Sequence, residues 1–467
     1  MKTLQHTDTI VAISTPQGSG GIAVVRVNGP DAAAIVARRW HGARLDTMTS
    51  HTAHLGRIVD SDNALLDEVV LTFFRSPHSF TGEDVIEIAC HGSTWIQQQI
   101  VLTLIDAGAR AATAGEFTQR AFTNGRLDLS QAEAVADVIA ATSRAAHRVA
   151  MNQMRGAFAR RLSTLRAQLL HFVSLIELEL DFSEEDVTFA DRRRLLDLAA
   201  SIQRDVDTLA ASYHDGNAIK NGVPVAIVGA TNAGKSTLLN ALVGDDRAIV
   251  SDVHGTTRDV IEDTVMLGGT LLRFCDTAGL RHTTDAVEQM GISRTYRALD
   301  AARIVVWMVD ATAPADDVEH FAALLRPHLA GKKVIAVLNK TDVATPAALH
   351  DVEAAVRRQD VALEALLQVA AKAPHGADPV RDAIAAAAAW AAVDDDALVV
   401  TNTRHYEALT LASAALQRVT AGLEQGLSGD LVSQDLREVM HHLGTITGEI
   451  TTHELLGSIF SRFCVGK

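Results

Sequence analysis

Cysteine is nearly absent: Cys90, Cys275 and Cys464 are the only three in 467 residues. Three scattered thiols make neither a disulfide framework nor a zinc site, which fits a reducing compartment. Positive charge is also in deficit. Lys and Arg total 42 against 57 Asp and Glu, a formal net charge of −15. That balance argues against an autonomous, strongly basic nucleic-acid surface, and leaves room only for a local patch or a partner that supplies one. Long apolar runs are missing too. The alanine-rich Ala385–Val393 is far short of the ~18 residues that would suggest a membrane span. The N-terminus lacks the basic-then-apolar pattern of a signal sequence, and no internal repeat is visible. The expectation is a soluble, cytoplasmic chain with no membrane role and, at this length, two or three domains.

What is present is most explicit at Gly229-Ala-Thr-Asn-Ala-Gly-Lys-Ser236, a complete GxxxxGK[ST] loop following the apolar run Val225–Val228. A buried strand, a glycine-rich turn and a helix opening near Thr237 would aim successive backbone N–H groups at a polyphosphate. Lys235 would reach the β/γ oxygens and Ser236 would ligate Mg²⁺. Asn232, Ala233 and Gly234 complete the cradle. A second apolar run, Val334–Leu338, delivers Asn339, Lys340, Thr341 and Asp342. A carboxylate at Asp342 can accept both N1–H and the exocyclic amine of guanine, a donor pair that adenine lacks. Leaving such buried acceptors unmet costs on the order of 1–3 kcal/mol, so GTP is expected over ATP.

Between these motifs, the strand-like Leu271–Cys275 ends in Asp276, Thr277, Ala278 and Gly279, where Asp276 can hold Mg²⁺ through water and the Gly279 N–H can sense the γ-phosphate. Upstream, Gly255-Thr-Thr-Arg-Asp259 offers a switch hydroxyl. Ile304–Val309 supplies a further buried strand ending at Asp310. Ras-like proteins place a water-orienting glutamine after Asp-Thr-Ala-Gly; here it is Leu280, so another group such as Glu288 must position water. On spacing alone, Glu288 reads better as a solvated helix carboxylate.

Residues 1–120 show short β-type runs, Thr9–Ile13, Ile22–Val27, Glu68–Phe74 and Asp84–Ile88, with one helix-like stretch at Trp95–Ala107; this predicts an α+β domain. From Asp128 the pattern turns helical. Ser130-Gln-Ala-Glu133 reads as a capping box opening a helix with Val135, Val138 and Ile139 on one face. A long helix follows, striped by Leu162, Leu165, Leu169, Phe172, Ile176 and Leu180. Beyond the nucleotide motifs, Ala385–Trp390 and Asp394–Asp396 read as a hinge. Helical periodicity then resumes through Tyr406, Leu409, Leu416, Val419 and Leu423, with a last segment at Leu455, Leu456, Ile459 and Phe460. The expected architecture is multidomain: an α+β domain over 1–120, a helical domain split between 121–220 and 380–467, and a Ras-like α/β P-loop domain inserted at 221–379.

Taken with Asp8–Ala12, the Ser79–Asp84 segment and the terminal Cys464-Val-Gly-Lys467, these motifs resemble the MnmE (TrmE) family of tRNA-modification GTPases over nearly the whole length. The resemblance implies a folate-binding-like N-terminal domain that forms a homodimer and holds a tetrahydrofolate one-carbon donor (5,10-methylene- or 5-formyl-tetrahydrofolate). Arg26, Glu87, Arg126 and Lys467 match its contacts; Arg126 stands where lysine is common. It also implies K⁺ beside the phosphates instead of an arginine finger. Asn232 would be a K⁺ ligand, and Ser251, Val253 and Thr256 would stand in ligand positions of a GTP-binding loop that also includes Asp252, His254 and Gly255. Ser236 and Thr257 match the Mg²⁺ ligands, Glu288 the general-base-like glutamate, and Cys464 a catalytic thiol of undefined role. Thr231 and Ala370 depart from the family's usual proline and serine.

The function so implied is GTP hydrolysis to GDP and phosphate. It would be coupled, with the FAD-dependent partner MnmG in a heterotetramer or larger complex, to adding an aminomethyl or carboxymethylaminomethyl group at C5 of the wobble uridine (U34) of certain tRNAs. Two alternatives stay open: a ribosome-assembly GTPase switch, and a folate-binding regulatory GTPase with no direct part in one-carbon transfer.

Overall fold

The computed structural model describes residues 7–181, 192–244, 263–275, 296, 298–391, 398–461 and 463–466. Two compact units form. The first combines Met1–Ala136, Gln153–Gln203 and Leu411–Lys467; the second combines Asp137–Asn152 and Arg204–Thr410.

The first unit carries a seven-stranded sheet built from β1 (Ile10–Ile13), β2 (Ile22–Asn28), β3 (Trp40–His41), β4 (Thr52–Val59), β5 (Leu65–Phe74), β6 (Val85–His91) and β7 (Arg110–Ala111), in the order β3-β4-β5-β6-β2-β1-β7. Every pairing is antiparallel except β1 with β7. Alternation sorts the side chains. Val25, Val27, Leu71, Ile86 and Ile88 pack with Ile100 and Leu104 of the helix Thr94–Asp106. Arg26 and Glu87 alternate onto the other face, where they stand directly opposite each other. The β4 strand went unmarked in the sequence because its exposed positions include the apolar Ala53 and Leu55 while the half-buried ones include His54 and Gly56, which breaks the apolar alternation.

In the helical part of this unit, Ala157–Asp181 buries Phe158, Leu162, Leu165, Leu169, Phe172 and Ile176 and packs on Gly429–Thr447. The expected capping box is shifted. Asp128 Oδ1 accepts from the Gln131 backbone N–H (2.9 Å), and Gln131 Oε1 accepts from the Asp128 N–H (3.0 Å), so Asp128 and Gln131 form the reciprocal pair. Ser130 and Glu133 lie within the helix and are buried. The helix Leu129–Ala140 buries Leu129 and Ala132 against Phe460. Ile139, expected on the core face, is 47% exposed.

The second unit holds a six-stranded sheet: β8 (Val223–Gly229), β9 (Asp263–Leu267), β10 (Thr270–Phe274), β11 (Ile304–Asp310), β12 (Lys333–Asn339) and β13 (Leu363–Gln368), ordered β13-β12-β11-β8-β10-β9. All neighbours are parallel except β9 with β10. Helices cover both faces, so β8, β11 and β12 are buried on both sides and read as continuous apolar runs. Ala385–Ala388, taken as part of a hinge, instead ends the helix Asp378–Ala388, and its Ala387 and Ala388 are fully buried against the sheet. Small side chains there let the helix sit close. Asp394–Asp396 fall outside the described residues.

Candidate nucleotide site and C-terminal tail site

The carboxyl ends of β8 and β12 are adjacent but for β11, and there the two nucleotide motifs meet. The loop after β8 turns through Asn232, at φ 63°, and Gly234, at φ 100°, into the helix Lys235–Gly244. Lys235 therefore begins that helix, two residues before Thr237. Its Nζ donates to the carbonyls of Gly229 and Ala230, both at 2.8 Å, and burial pulls its ammonium below the usual lysine range. Asn232 is exposed, whereas Ala233 is buried. Ser236 and Thr237, on the first turn, are half-buried.

Asn339, only 4% exposed, joins the parts. Its Nδ2 donates to the Ala233 carbonyl (2.8 Å) and its Oδ1 accepts from the Ala371 backbone N–H (2.9 Å). One amide thus fixes the phosphate loop and the Ala370–Ala371 turn after β13. Gly234 is required beside it, since a Cβ there would overlap Asn339 Nδ2. The bond to Ala371 uses the backbone, so alanine in place of the usual serine at position 370 leaves it intact. Lys340, at φ 65°, reaches back to Asp310 Oδ2 (2.6 Å). Burial pulls the Asp310 carboxyl up, but hydrogen bonds from Lys340 and Thr312 outweigh it and hold it below the usual range. Asp342 is exposed and makes no ion pair among the described residues. Asp310 had been read only as a strand end; its position opposite Lys340 was not legible. Ser251, Asp252, Val253, His254, Gly255, Thr256, Thr257, Asp276, Thr277, Ala278, Gly279 and Glu288 lie outside the described residues.

In the other unit, Arg26 donates to Glu87 Oε1 through Nη2 (2.6 Å) and Nε (3.0 Å), and through Nη1 to the Gly466 carbonyl (3.2 Å). Its guanidinium lies 5.6 Å from the Phe117 ring centre, and Ser14 Oγ donates to the same Gly466 carbonyl (3.1 Å). The tail is held by backbone: Val465 bridges Ala114, and the Gly115 N–H donates to the Cys464 carbonyl at 3.4 Å. The Cys464 side chain is left exposed, while Cys90 and Cys275 are buried. Burial pushes the Cys90 thiol up to about 11. Arg126 does not join this group. It is exposed, with its stem against Gly82 and its guanidinium unpaired among the described residues. Lys467 lies outside them.

Alongside runs a charge network that the sequence did not announce. Arg120 is fully buried and pairs with Asp8 (2.9 Å), Glu116 (3.0 Å) and Glu83 (3.2 Å). Arg110 bonds Glu116 and Asp8, both at 2.6 Å. Burial alone would raise the Glu116 carboxyl, but Arg110, the Thr113 N–H and Arg120 overcome it and bring it to about 2.

With this geometry in place, two family models match in sequence order. One, described as GTP-binding protein TrmE N-terminus, matches residues 9–126. The other, described as MnmE helical domain, matches residues 129–464, more than half of the chain. The chain belongs to the MnmE (TrmE) family. It is similar to the tRNA modification GTPase MnmE of Parabacteroides distasonis, 51% identical over 464 residues that cover 98% of this chain and 100% of that protein. It is likewise similar to the tRNA modification GTPase MnmE of Bacteroides thetaiotaomicron, 48% identical with 98% and 99% covered. Among solved structures, a GTP-binding protein from the archaeon Sulfolobus solfataricus in complex with GDP aligns at a TM-score of 0.28 and 17% identity, covering 48% of this chain and 66% of that one. MnmE-family sequence thus runs through both units, and the Asn339-linked site belongs to the second. No helix among the described residues is long and apolar enough to cross a membrane.

Proposed function

We propose that this chain hydrolyses GTP to GDP and phosphate and couples that cycle to modification of tRNA. The observation that carries the reading is the amide of Asn339, which joins the phosphate loop to the Ala370–Ala371 turn in a chain of the MnmE family. Lys235 would exchange the two loop carbonyls for β/γ-phosphate oxygens, Asp342 would accept from guanine, and the backbone N–H groups from Asn232 to Ser236 would surround the phosphates. Ser236 stands on the first turn of the helix that follows the loop, and with Thr257 it gives the oxygen donors that a hard cation takes. Asn232, turned outward at φ 63°, offers an amide oxygen to K⁺ together with Ser251, Val253 and Thr256. Bound there, Mg²⁺ and K⁺ would supply positive charge against that developing on the γ-phosphate. Glu288 would position water where Leu280 cannot.

The finer reading is a homodimer through the N-terminal domain, acting in the cytoplasm with MnmG on C5 of U34, with a tetrahydrofolate one-carbon derivative held near Arg26, Glu87, Arg126 and Lys467. The four-part division at 120, 220 and 379 belongs to the same proposal. A half-buried carboxylate and guanidinium beside the Phe117 ring suit a flat heterocycle that carries amine donors. The test is nucleoside analysis of tRNA from a strain lacking the gene, beside phosphate release by the purified protein. Loss of the C5 modification and GTP-dependent phosphate release are expected. Normal wobble uridines would overturn the tRNA reading.

A further inference from the structure

For a chain of net charge −15, residues 138–176 are anomalous: they contain no Asp or Glu and carry six arginines, with no lysine. Within the first unit, three of the six gather at one turn. Arg155, Arg160 and Arg161 are exposed around the start of the helix Ala157–Asp181. Arg160 Nη1 donates to the Arg155 carbonyl at 2.8 Å, which keeps its guanidinium against the turn. The turn itself is fixed. Gly156 adopts φ 77°, and Gln131 Nε2 donates to the Met154 carbonyl at 3.1 Å. Gln131 is in turn held by its capping exchange with Asp128. Arg166, one turn further on, pairs with Glu449 at 2.6 Å.

We propose that the Arg155, Arg160 and Arg161 surface is where RNA phosphates contact this chain. The inference rests on the tRNA reading above and adds the place of contact. Charge complementarity carries it: guanidinium forks match phosphate oxygens bidentately, and an acidic chain otherwise repels a polyanion. An anchored turn presents the three groups without the ordering cost of a loose loop. A basic stretch that served only solubility would not need to exclude acids for 39 residues while the rest of the chain is rich in them.

The experiment titrates the full-length protein with transcribed tRNA between about 50 and 200 mM KCl, comparing wild type, the triple variant R155A/R160A/R161A and the charge-keeping R155K/R160K/R161K. Each phosphate contact contributes roughly 0.7–0.9 to the slope of log K against log salt. The alanine variant is therefore expected to lose about 2 from that slope and to bind roughly tenfold or more weakly at the low-salt end. The lysine variant should keep most of the slope, and all three should melt together and release phosphate from GTP within about twofold of one another. Wild-type slope and affinity in the alanine variant would overturn the proposal, as would a wild type that binds no tRNA. Neither result touches the tRNA reading itself, which the nucleoside analysis decides separately.

Discussion

Replacing Asn339 with alanine removes both bonds that tie the phosphate loop to the turn after β13, and its cost can be worked from its partners. The Ala233 carbonyl and the Ala371 N–H are left without their partner in a buried setting. Each orphaned group costs about 1–3 kcal/mol, so the pair should destabilise the second unit by roughly 2–6 kcal/mol. At about 2–4 °C per kcal/mol for a unit of this size, its melting transition should fall by roughly 4–24 °C. Nucleotide affinity should fall with it, for GTP and xanthosine triphosphate alike, because the loop is mispositioned while the base-reading carboxylate is untouched. Gly234→Ala attacks the same bond from the other side, since its Cβ would meet Asn339 Nδ2. The two changes should therefore be non-additive, with the alanine at 234 costing less once Asn339 is gone. Thermal melts and fluorescent-nucleotide titration of the four proteins in this cycle measure it. A melting point within about 1 °C of wild type for Asn339→Ala, with unchanged affinity, would refute the assignment of Asn339 as the link.

The other expectations are narrower. Asp342→Asn should weaken GTP and shift preference toward xanthosine triphosphate, because the amide presents a donor to guanine's amine but complements xanthine's oxygen; competition between the two nucleotides reads this directly. Hydrolysis should be faster in K⁺ than in Na⁺ at matched ionic strength, and equal rates would remove the role given to Asn232. Glu116, held at about 2 against an ordinary 4.5, contributes stability that is complete above about 4.5 and is lost as pH falls toward 2. Acid melts of Glu116→Gln should show a lower melting point at neutral pH and a flatter decline between those limits than wild type. Cys464→Ser should abolish tRNA modification and leave K⁺-stimulated hydrolysis near normal. The tail is held by backbone at Ala114 and Gly115, not by the thiol, so serine should keep it docked. Normal modification in that variant would rule out an essential thiol.

The loop after β8 and the turn after β12 were legible because each is one consecutive stretch of sequence. A phosphate cradle must be consecutive backbone, so its signature is consecutive sequence, and Asn339–Asp342 sits at a strand end for the same reason. The stripe Leu162, Leu165, Leu169, Phe172 and Ile176 was legible because helix burial repeats at three and four residues, and all five are buried. Leu363-Glu-Ala-Leu-Leu-Gln368 was not. It carries strong helix formers and no β-branched residue, yet it is the edge strand β13, paired only with β12. Its backbone is satisfied by that one neighbour, and pairing overrides propensity where a sheet edge is available. The Asp128–Gln131 cap shows a subtler failure: Ser130–Glu133 satisfies the same spacing rule, and only the hydrogen bonds separate the two.

The tail site is the opposite case from the phosphate loop, since no segment of the sequence contains it. Arg26 and Glu87 meet because β2 and β6 are antiparallel in one register, and a slip of one residue between the strands would put the two side chains on opposite faces of the sheet. Gly466 comes to them from 440 positions away through a single carbonyl, a group every residue possesses and no composition can advertise. Gly466 is itself constrained: it adopts φ 94°, and a Cβ there would overlap the Ile13 carbonyl. A side chain at 466 would lift the tail off β1 and take Cys464 with it, without altering any charged or thiol group. The position most able to dismantle this site is thus the residue whose own chemistry is least expressive.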